Sequence, residues 1–253
     1  MDKTLLYLKR SKNNLYEKMK SIFLFHSNKI EGSTFNIEQL DLLIHEDIVS
    51  GNHSMDDVIE TRNSIELFDY IVDTAQDELT LFSLREYHAM LKKQTRDADY
   101  GFAGQFKKIP NELRNLDLKL AQPHEVVASL EFLLKEYENE KMDLEMIVDF
   151  HKKFELIHPY NDGNGRIGRF IIIKQCIQND IDFVLIDEKN EREYKEALYE
   201  AQVENNNSLL INVFEKGQEM FKEQAKLYYE IRDNYKEEVE RMKEYEEEEE
   251  LEF

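Results

Sequence analysis

The sequence is poor in the residues that interrupt or cross-link a chain: its 253 residues include three prolines, eight glycines, one cysteine and no tryptophan. With a single cysteine, Cys176, no internal disulfide can form, and its apolar surroundings predict a buried, inert thiol. The apolar runs are too short for the ~18 residues of a membrane-spanning helix, and no signal segment opens the chain. We therefore expect a cytoplasmic protein.

Positive charge is also scarce. The chain has 33 lysines and arginines against 54 acidic residues, which gives a formal net charge of −21. Such a field repels nucleic acids and anionic membrane surfaces, so neither is an expected partner. An anionic ligand can be held only where positive groups are gathered locally.

The composition favours helices, because proline and glycine are rare while leucine, isoleucine, glutamate and lysine are abundant. Helix-capping patterns occur at Thr34 or Asn36, at Ser83 with Glu86, and at Asp143. The sequence thus predicts an all-α fold. Apolar periodicity places helices over residues 3–25, 36–46, 54–74, 83–93, 123–137, 144–157 and from 209 toward 241.

One segment, His158–Arg169, concentrates unusual residues. It contains a glycine-rich turn and leads into the apolar run Phe170–Ile177, which is typical of a buried helix. The first N–H groups of a helix have no partner within the helix, and the helix dipole places positive charge there. A turn of this kind predicts a phosphate-binding site.

The side chains of this segment extend that site. Arg166 and Arg169 are three residues apart and project from one side of the helix, which suits a ligand with several phosphates. Asp162 is a hard oxygen ligand suited to Mg²⁺ shared with those phosphates, and His158 can accept a proton near neutral pH. The alternative is an ordinary glycine turn with solvated arginines and a structural histidine.

The order of these residues resembles the signature of the Fic family, H-x-F-x-[DE]-G-N-G-R-x-x-R, with Tyr160 in place of the phenylalanine. The resemblance implies an all-α Fic fold and a protein adenylyltransferase, which transfers AMP from its co-substrate ATP to a Ser, Thr or Tyr hydroxyl of a protein target, including itself. Tyr160 is expected to be structural. By the resemblance, His158 is the catalytic base, Asp162 binds Mg²⁺, and the nucleotide phosphates are bound by Gly163, Asn164, Gly165, Arg166 and Arg169.

Two earlier segments fit the same resemblance. Ser27, Glu31 and Gly32 resemble the inhibitory motif [ST]-x-x-x-E-[GN], whose glutamate pairs with the second arginine of the signature, here Arg169. From local physics alone, a solvated glutamate would be preferred. The segment around residues 100–110 resembles the Fic flap, a short β-hairpin that aligns the target by strand addition, although an ordinary surface hairpin is the alternative. The flap residues are Gln105, Phe106, Lys107, Lys108 and Ile109.

The resemblance also places a helix beside the adenine pocket. By position, Tyr194, Lys195 and Gln202 are the candidate nucleoside contacts, although many relatives carry a second tyrosine where this chain has Lys195. The expected division of the chain is residues 1–32 with the inhibitory motif, 33–225 as the Fic core, and 226–253 as a helix extension with an acidic tail.

Three competing functions stay open at this level. The same site could remove AMP from a modified protein or transfer another phosphate-bearing group. The chain could instead sense nucleotide without turnover, or serve as a helical scaffold. The sequence does not name the target protein, and it leaves the oligomeric state open, a homodimer included.

Overall fold

The computed structural model describes residues 15–111 and 118–226, and these confirm the all-α prediction. A 3-10 helix (Glu188–Asn190) precedes α9. The α-helices are α1 (Leu15–Ile30), α2 (Ile37–Glu46), α3 (Met55–Asp73), α4 (Leu81–Lys92), α5 (Arg96–Asp99), α6 (Val126–Glu136), α7 (Leu144–Ile157), α8 (Asn164–Asn179), α9 (Glu191–Glu204) and α10, which includes residues 208–226.

The helix α8 forms the centre of the bundle, with α1, α3, α4 and α7 packed around it. Its residues from Arg166 to Ile177 are buried, as the apolar run predicts. The helix α1 is tied to this centre by aromatic contacts: the ring of Phe23 lies 5.2 Å from Phe170 and 5.6 Å from Phe68. The C-terminal end of α1 is therefore held close to the N-terminal half of α8.

Local caps explain where several helices begin. Asn36 caps α2 in a capping box with Gln39, and Asp143 caps α7, as predicted. The predicted cap at Ser83 is wrong, because α4 begins two residues earlier. Thr80 is its cap, and Ser83 completes the box by accepting the Thr80 N–H at 2.8 Å.

The structure does not support the predicted β-hairpin flap, since residues 15–111 and 118–226 contain no strand. Gly101 and Gly104 take positive φ values of 74° and 68° and bend the segment into turns. Its backbone is then bound by other elements: Gly104 N–H donates to His88 Nδ1 at 3.0 Å, and Lys107 N–H donates to Pro159 O at 2.8 Å. These bonds replace the cross-strand pairing of a hairpin.

Some predictions fall outside the described residues. They are the first turns of the N-terminal helix, the acidic tail and residues 112–117 after the flap segment. The division of the chain at residues 32 and 225 stays a prediction. Within the described ranges, no helix has the length and apolarity needed to cross a membrane.

Candidate active site

The signature segment joins α7 to α8 through a tight turn. His158 ends α7 in the left-handed conformation (φ 49°, ψ 62°), and Gly163 precedes α8 with φ 83°. A Cβ atom at Gly163 would lie 3.2 Å from Leu91 Cδ2, so both conformation and space favour glycine there. The turn places His158 beside the N-terminal end of α8.

Buried side chains stabilise this turn from the side of the protein core. Asn164 accepts from Tyr160 N–H at 2.8 Å and donates to Tyr160 O at 2.9 Å. Tyr160 is fully buried, as its predicted structural role requires, and its hydroxyl donates to Leu84 O at 2.7 Å. His88 stacks on the Tyr160 ring at 4.0 Å. Since the Asn164 side chain is used within the turn, its backbone N–H is what it can offer a ligand.

The environment of His158 suits a general base. Its Nδ1 lies 3.3 Å from Glu155 O; because a carbonyl can only accept, Nδ1 carries the proton and Nε2 keeps its lone pair. Burial, with a smaller contribution from the nearby Lys107 ammonium, lowers the pKa of His158 to about 4. Lys107 is itself buried and donates to Ile157 O at 3.1 Å. His158 is thus neutral at neutral pH.

The N-terminal end of α8 presents free N–H groups from Asn164, Gly165 and Arg166. The Glu31 carboxylate already lies against this end, since a Cβ atom added to Gly165 would overlap Glu31 Oε1. The Glu31 carboxylate therefore lies next to the position that the sequence predicts for a phosphate.

Arg169 is bound by the end of α1. Its Nε donates to Ser27 Oγ at 2.9 Å, and its Nη2 donates to Ser27 O at 2.9 Å and to Glu31 Oε1 at 2.7 Å. Gly32 follows with φ 88° and turns the chain away. Although burial would raise it, the pKa of Glu31 is lowered by the Arg169 guanidinium. The structure brings together the motif residues and the arginine that the sequence pairs with them.

Arg166 has a different set of partners. Its Nη1 is paired with Glu60 of α3, and its Nη2 lies 3.4 Å from Asp162 Oδ2. Lys92 joins the same group: its Nζ is paired with Asp162 and lies 2.7 Å from Glu60 Oε1 and 2.8 Å from Asp97 Oδ2. Sequence reasoning missed Glu60, Lys92 and Asp97, because no local pattern connects three residues on three different helices.

The chemistry of this group fits a magnesium ion at Asp162. The Asp162 side chain is 58% exposed, and its ion pairs use Oδ2, which leaves Oδ1 outside them. Carboxylate oxygens of Glu60, Asp97 and Asp162 lie within 4.8 Å of one another, but the Lys92 ammonium already pairs with all three, so Asp162 Oδ1 is the oxygen left for a metal. Although burial would raise it, the pKa of Asp162 is lowered by Lys92 and Arg166, so the carboxylate is ionised and can bind a hard cation.

Of the candidate nucleoside contacts, Tyr194 lies beside the site, where its side chain interacts with the Arg169 guanidinium. Tyr194 is buried, and its hydroxyl lies 2.7 Å from His151 Nε2. Lys195 is on the exposed side of α9 and pairs with Glu191 at 2.5 Å, whereas Gln202 donates to Lys152 O at 3.3 Å.

The flap residues lie along the turn without regular secondary structure, and the chain bends at Lys108 and Ile109. Lys107 anchors it through the bond to Pro159, and Gln105 Oε1 accepts from Arg85 at 3.3 Å. Phe106 is half-buried with its ring 5.8 Å from Tyr160, while Lys108 and Ile109 are exposed.

Comparison with known proteins gives consistent results for this region. The sequence profile of the Fic/DOC family matches residues 78–176, which run from just before α4 through the turn and most of α8. A probable protein adenylyltransferase of Aquifex aeolicus is 42% identical over 53 residues, and this match spans 21% of the chain but only 16% of that relative's length.

Solved structures extend the similarity beyond the profile match. A Fic-domain signalling protein from Bacteroides thetaiotaomicron superposes with a TM-score of 0.70 at 26% identity, over 83% of this chain and 85% of its own. Fic-1 from C. elegans superposes with a TM-score of 0.69 at 18% identity, over 92% of this chain and 68% of its own. At this low identity, the similarity is evidence for the fold alone. Residues 78–176 are therefore similar to the Fic/DOC family, and the chain has the all-α Fic fold.

Proposed function

We propose that this protein is an adenylyltransferase that transfers AMP from ATP to a hydroxyl side chain of a protein. One observation carries the proposal: an uncharged His158, with its Nε2 lone pair free, lies beside a helix N-terminus that has a carboxylate next to it. A proton acceptor next to an anion site is the arrangement that phosphate-group transfer to a hydroxyl requires.

His158 would act on the attacking hydroxyl. As the hydroxyl oxygen forms a bond to the α-phosphorus of ATP, its proton passes to His158 Nε2, and the bond from the α-phosphorus to the bridging oxygen breaks to release pyrophosphate. Nδ1 keeps its proton on Glu155 O throughout. Proton transfer of this kind contributes on the order of 10²–10⁴-fold to the rate.

The other side chains would position the phosphates. The N–H groups of Asn164, Gly165 and Arg166 can bind the α- and β-phosphates, and Arg169 can bind the γ-phosphate. Asp162 would hold Mg²⁺, which supplies charge neutralisation at the departing pyrophosphate.

We further propose that Glu31 inhibits this reaction. Its carboxylate lies at the N-terminal end of α8 and accepts from Arg169 at 2.7 Å, so it competes for both the space and the charge that a γ-phosphate needs. Ser27 supports this arrangement by fixing the Arg169 guanidinium. ATP bound in its presence would lack the contact that aligns the α-phosphorus.

The segment at residues 105–109 is proposed to align the target. Lys107 N–H binds Pro159 O, which places the segment next to His158, and the exposed Lys108 and Ile109 follow it. A target backbone lying along this segment would bring a hydroxyl toward Nε2.

The proposal is tested by incubating the protein and a cell lysate with ATP labelled at the α-phosphorus. We expect labelled protein with the native chain or the Glu31→Gly variant, and none with the His158→Ala variant. His124→Ala is the matched control, because His124 is exposed and lies outside the turn. Equal labelling by the His158→Ala and His124→Ala variants would refute the proposal, and release of AMP from prelabelled protein would favour the reverse reaction.

A further inference from the structure

A closed group of five charged side chains lies beneath the signature turn, and the reaction scheme above does not use all of it. It consists of Glu60, Lys92, Asp97, Asp162 and Arg166, which come from α3, α4, α5, the turn and α8. Glu60 joins the two cations, since its Oε1 lies 2.7 Å from Lys92 Nζ and its Oε2 is paired with Arg166.

Lys92 occupies the centre of this group. Its side chain is 1% exposed, yet it ends in an ammonium surrounded by three carboxylates, Glu60, Asp97 and Asp162. The stem reaches this position by passing under Gly163, because a Cβ atom at Gly163 would lie 3.4 Å from Lys92 Cε. A side chain at that glycine would crowd the lysine that holds Asp162.

The three carboxylates that surround Lys92 differ in exposure, and the most exposed one is at the proposed metal and nucleotide site. The side chain of Glu60 is 17% exposed, that of Asp97 29% and that of Asp162 58%. The most open carboxylate of the group is therefore the proposed metal ligand, and the ammonium holds its Oδ2 from behind. Side chains that hold a metal ligand in this way typically change metal affinity by about 10- to 100-fold when they are removed.

We infer that Lys92 is a positioning residue of the transfer site, a resident cation that fixes Asp162 so that its free oxygen faces the metal–nucleotide complex. The inference rests on the proposed function, which makes Asp162 the metal ligand. Without the ammonium, Asp97 loses its ion-pair partner and Glu60 and Asp162 share Arg166, so the repulsion among the three carboxylates moves Asp162 out of position.

The test measures binding rather than turnover. A fluorescent, non-hydrolysable ATP analogue is titrated with Mg²⁺ in the full chain, in the Glu31→Gly background. For Lys92→Met we expect the Mg²⁺ concentration at half-maximal analogue binding to rise about 10-fold or more. Lys93→Met is the matched control, because that neighbouring side chain is 59% exposed and lies 3.9 Å from Glu66 at the surface; its titration should match the parent.

The outcomes separate the possible roles. A Lys92→Met chain that melts at a lower temperature but keeps the parent's Mg²⁺ dependence has lost only a structural ion pair, which overturns the inference. Lys92→Arg should restore most of the Mg²⁺ response if charge at this position matters. If Lys92→Met does not fold, Glu60→Gln provides a second test, since it removes one of the three carboxylates that hold Lys92 in place.

Asp162→Asn distinguishes this inference from the function on which it depends. If Asp162→Asn leaves the Mg²⁺ titration unchanged, the metal assignment in the proposed function fails. If Asp162→Asn raises the half-maximal concentration while Lys92→Met and Glu60→Gln do not, only the positioning role of Lys92 is overturned.

Discussion

Replacing Glu31 by glycine should activate the protein, because it removes a carboxylate from the anion site without undocking α1. Phe23 and Leu24 of α1 are buried in the core, and Ser27 keeps two of the three hydrogen bonds to Arg169. The Nη2 N–H of Arg169 that bound Glu31 is then free for the γ-phosphate. The change is therefore local to the site.

The size of the effect follows from the contact that is lost. A net contribution of about 1.5–3 kcal/mol is typical of a hydrogen bond to a charged group. The Glu31 side chain is 28% exposed, which favours the lower half of that range. Since each ~1.4 kcal/mol is tenfold, we expect labelling at subsaturating ATP to rise by roughly 10- to 30-fold.

The assay is incorporation of α-labelled AMP at equal protein and ATP concentrations, with both self-labelling and lysate labelling recorded. Glu46→Gly is the matched control, because Glu46 is an exposed glutamate at the end of another helix, α2. Arg169→Ala should show no gain, since it removes the phosphate contact together with the inhibitory one. Equal rates for the native chain and the Glu31→Gly variant would refute the reasoning.

Further predictions concern the turn. His158→Ala should abolish transfer but keep ATP binding by calorimetry, whereas parallel losses of both would contradict the division of roles. Because burial lowers the pKa of His158 to about 4, this base stays neutral as the pH falls through ~6.5, the usual pKa of a histidine. A pH–rate profile in which the transfer rate halves near that pH would contradict this prediction. Asn164→Ala removes two buried hydrogen bonds and should lower stability by about 1–3 kcal/mol in a denaturant titration; an unchanged midpoint would contradict it.

The features that could be predicted from sequence are those set by neighbouring residues. The cap at Asp143, the apolar run after the turn and the glycine at position 163 each act on residues only a few positions away in the sequence. Together they determine the helix–turn–helix that carries His158. Their physical causes are readable without knowing the rest of the fold.

The residues that could not be predicted act across the fold. Glu60 and Lys92 lie on separate helices and meet Arg166 only when α3, α4 and α8 pack together. The hairpin prediction failed for a similar reason, because Pro159 and His88 supply the backbone partners that a second strand would have supplied.

Glu31 is intermediate between the features set by neighbouring residues and those set by distant contacts. Local physics favoured a solvated side chain, because an acidic residue near a helix C-terminus is opposed by the dipole. The structure instead places it on a buried arginine 138 residues away in sequence. Only the resemblance of its motif connected the two residues in advance.

The central claim, AMP transfer from ATP to a protein hydroxyl, is tested most directly by a paired labelling experiment. The Glu31→Gly variant and a lysate are incubated in parallel with ATP labelled at the α-phosphorus and with ATP labelled at the γ-phosphorus. Protein labelling is expected from the α-labelled ATP alone, with the γ label recovered in pyrophosphate. Protein labelling from the γ-labelled ATP, or from neither, would contradict it.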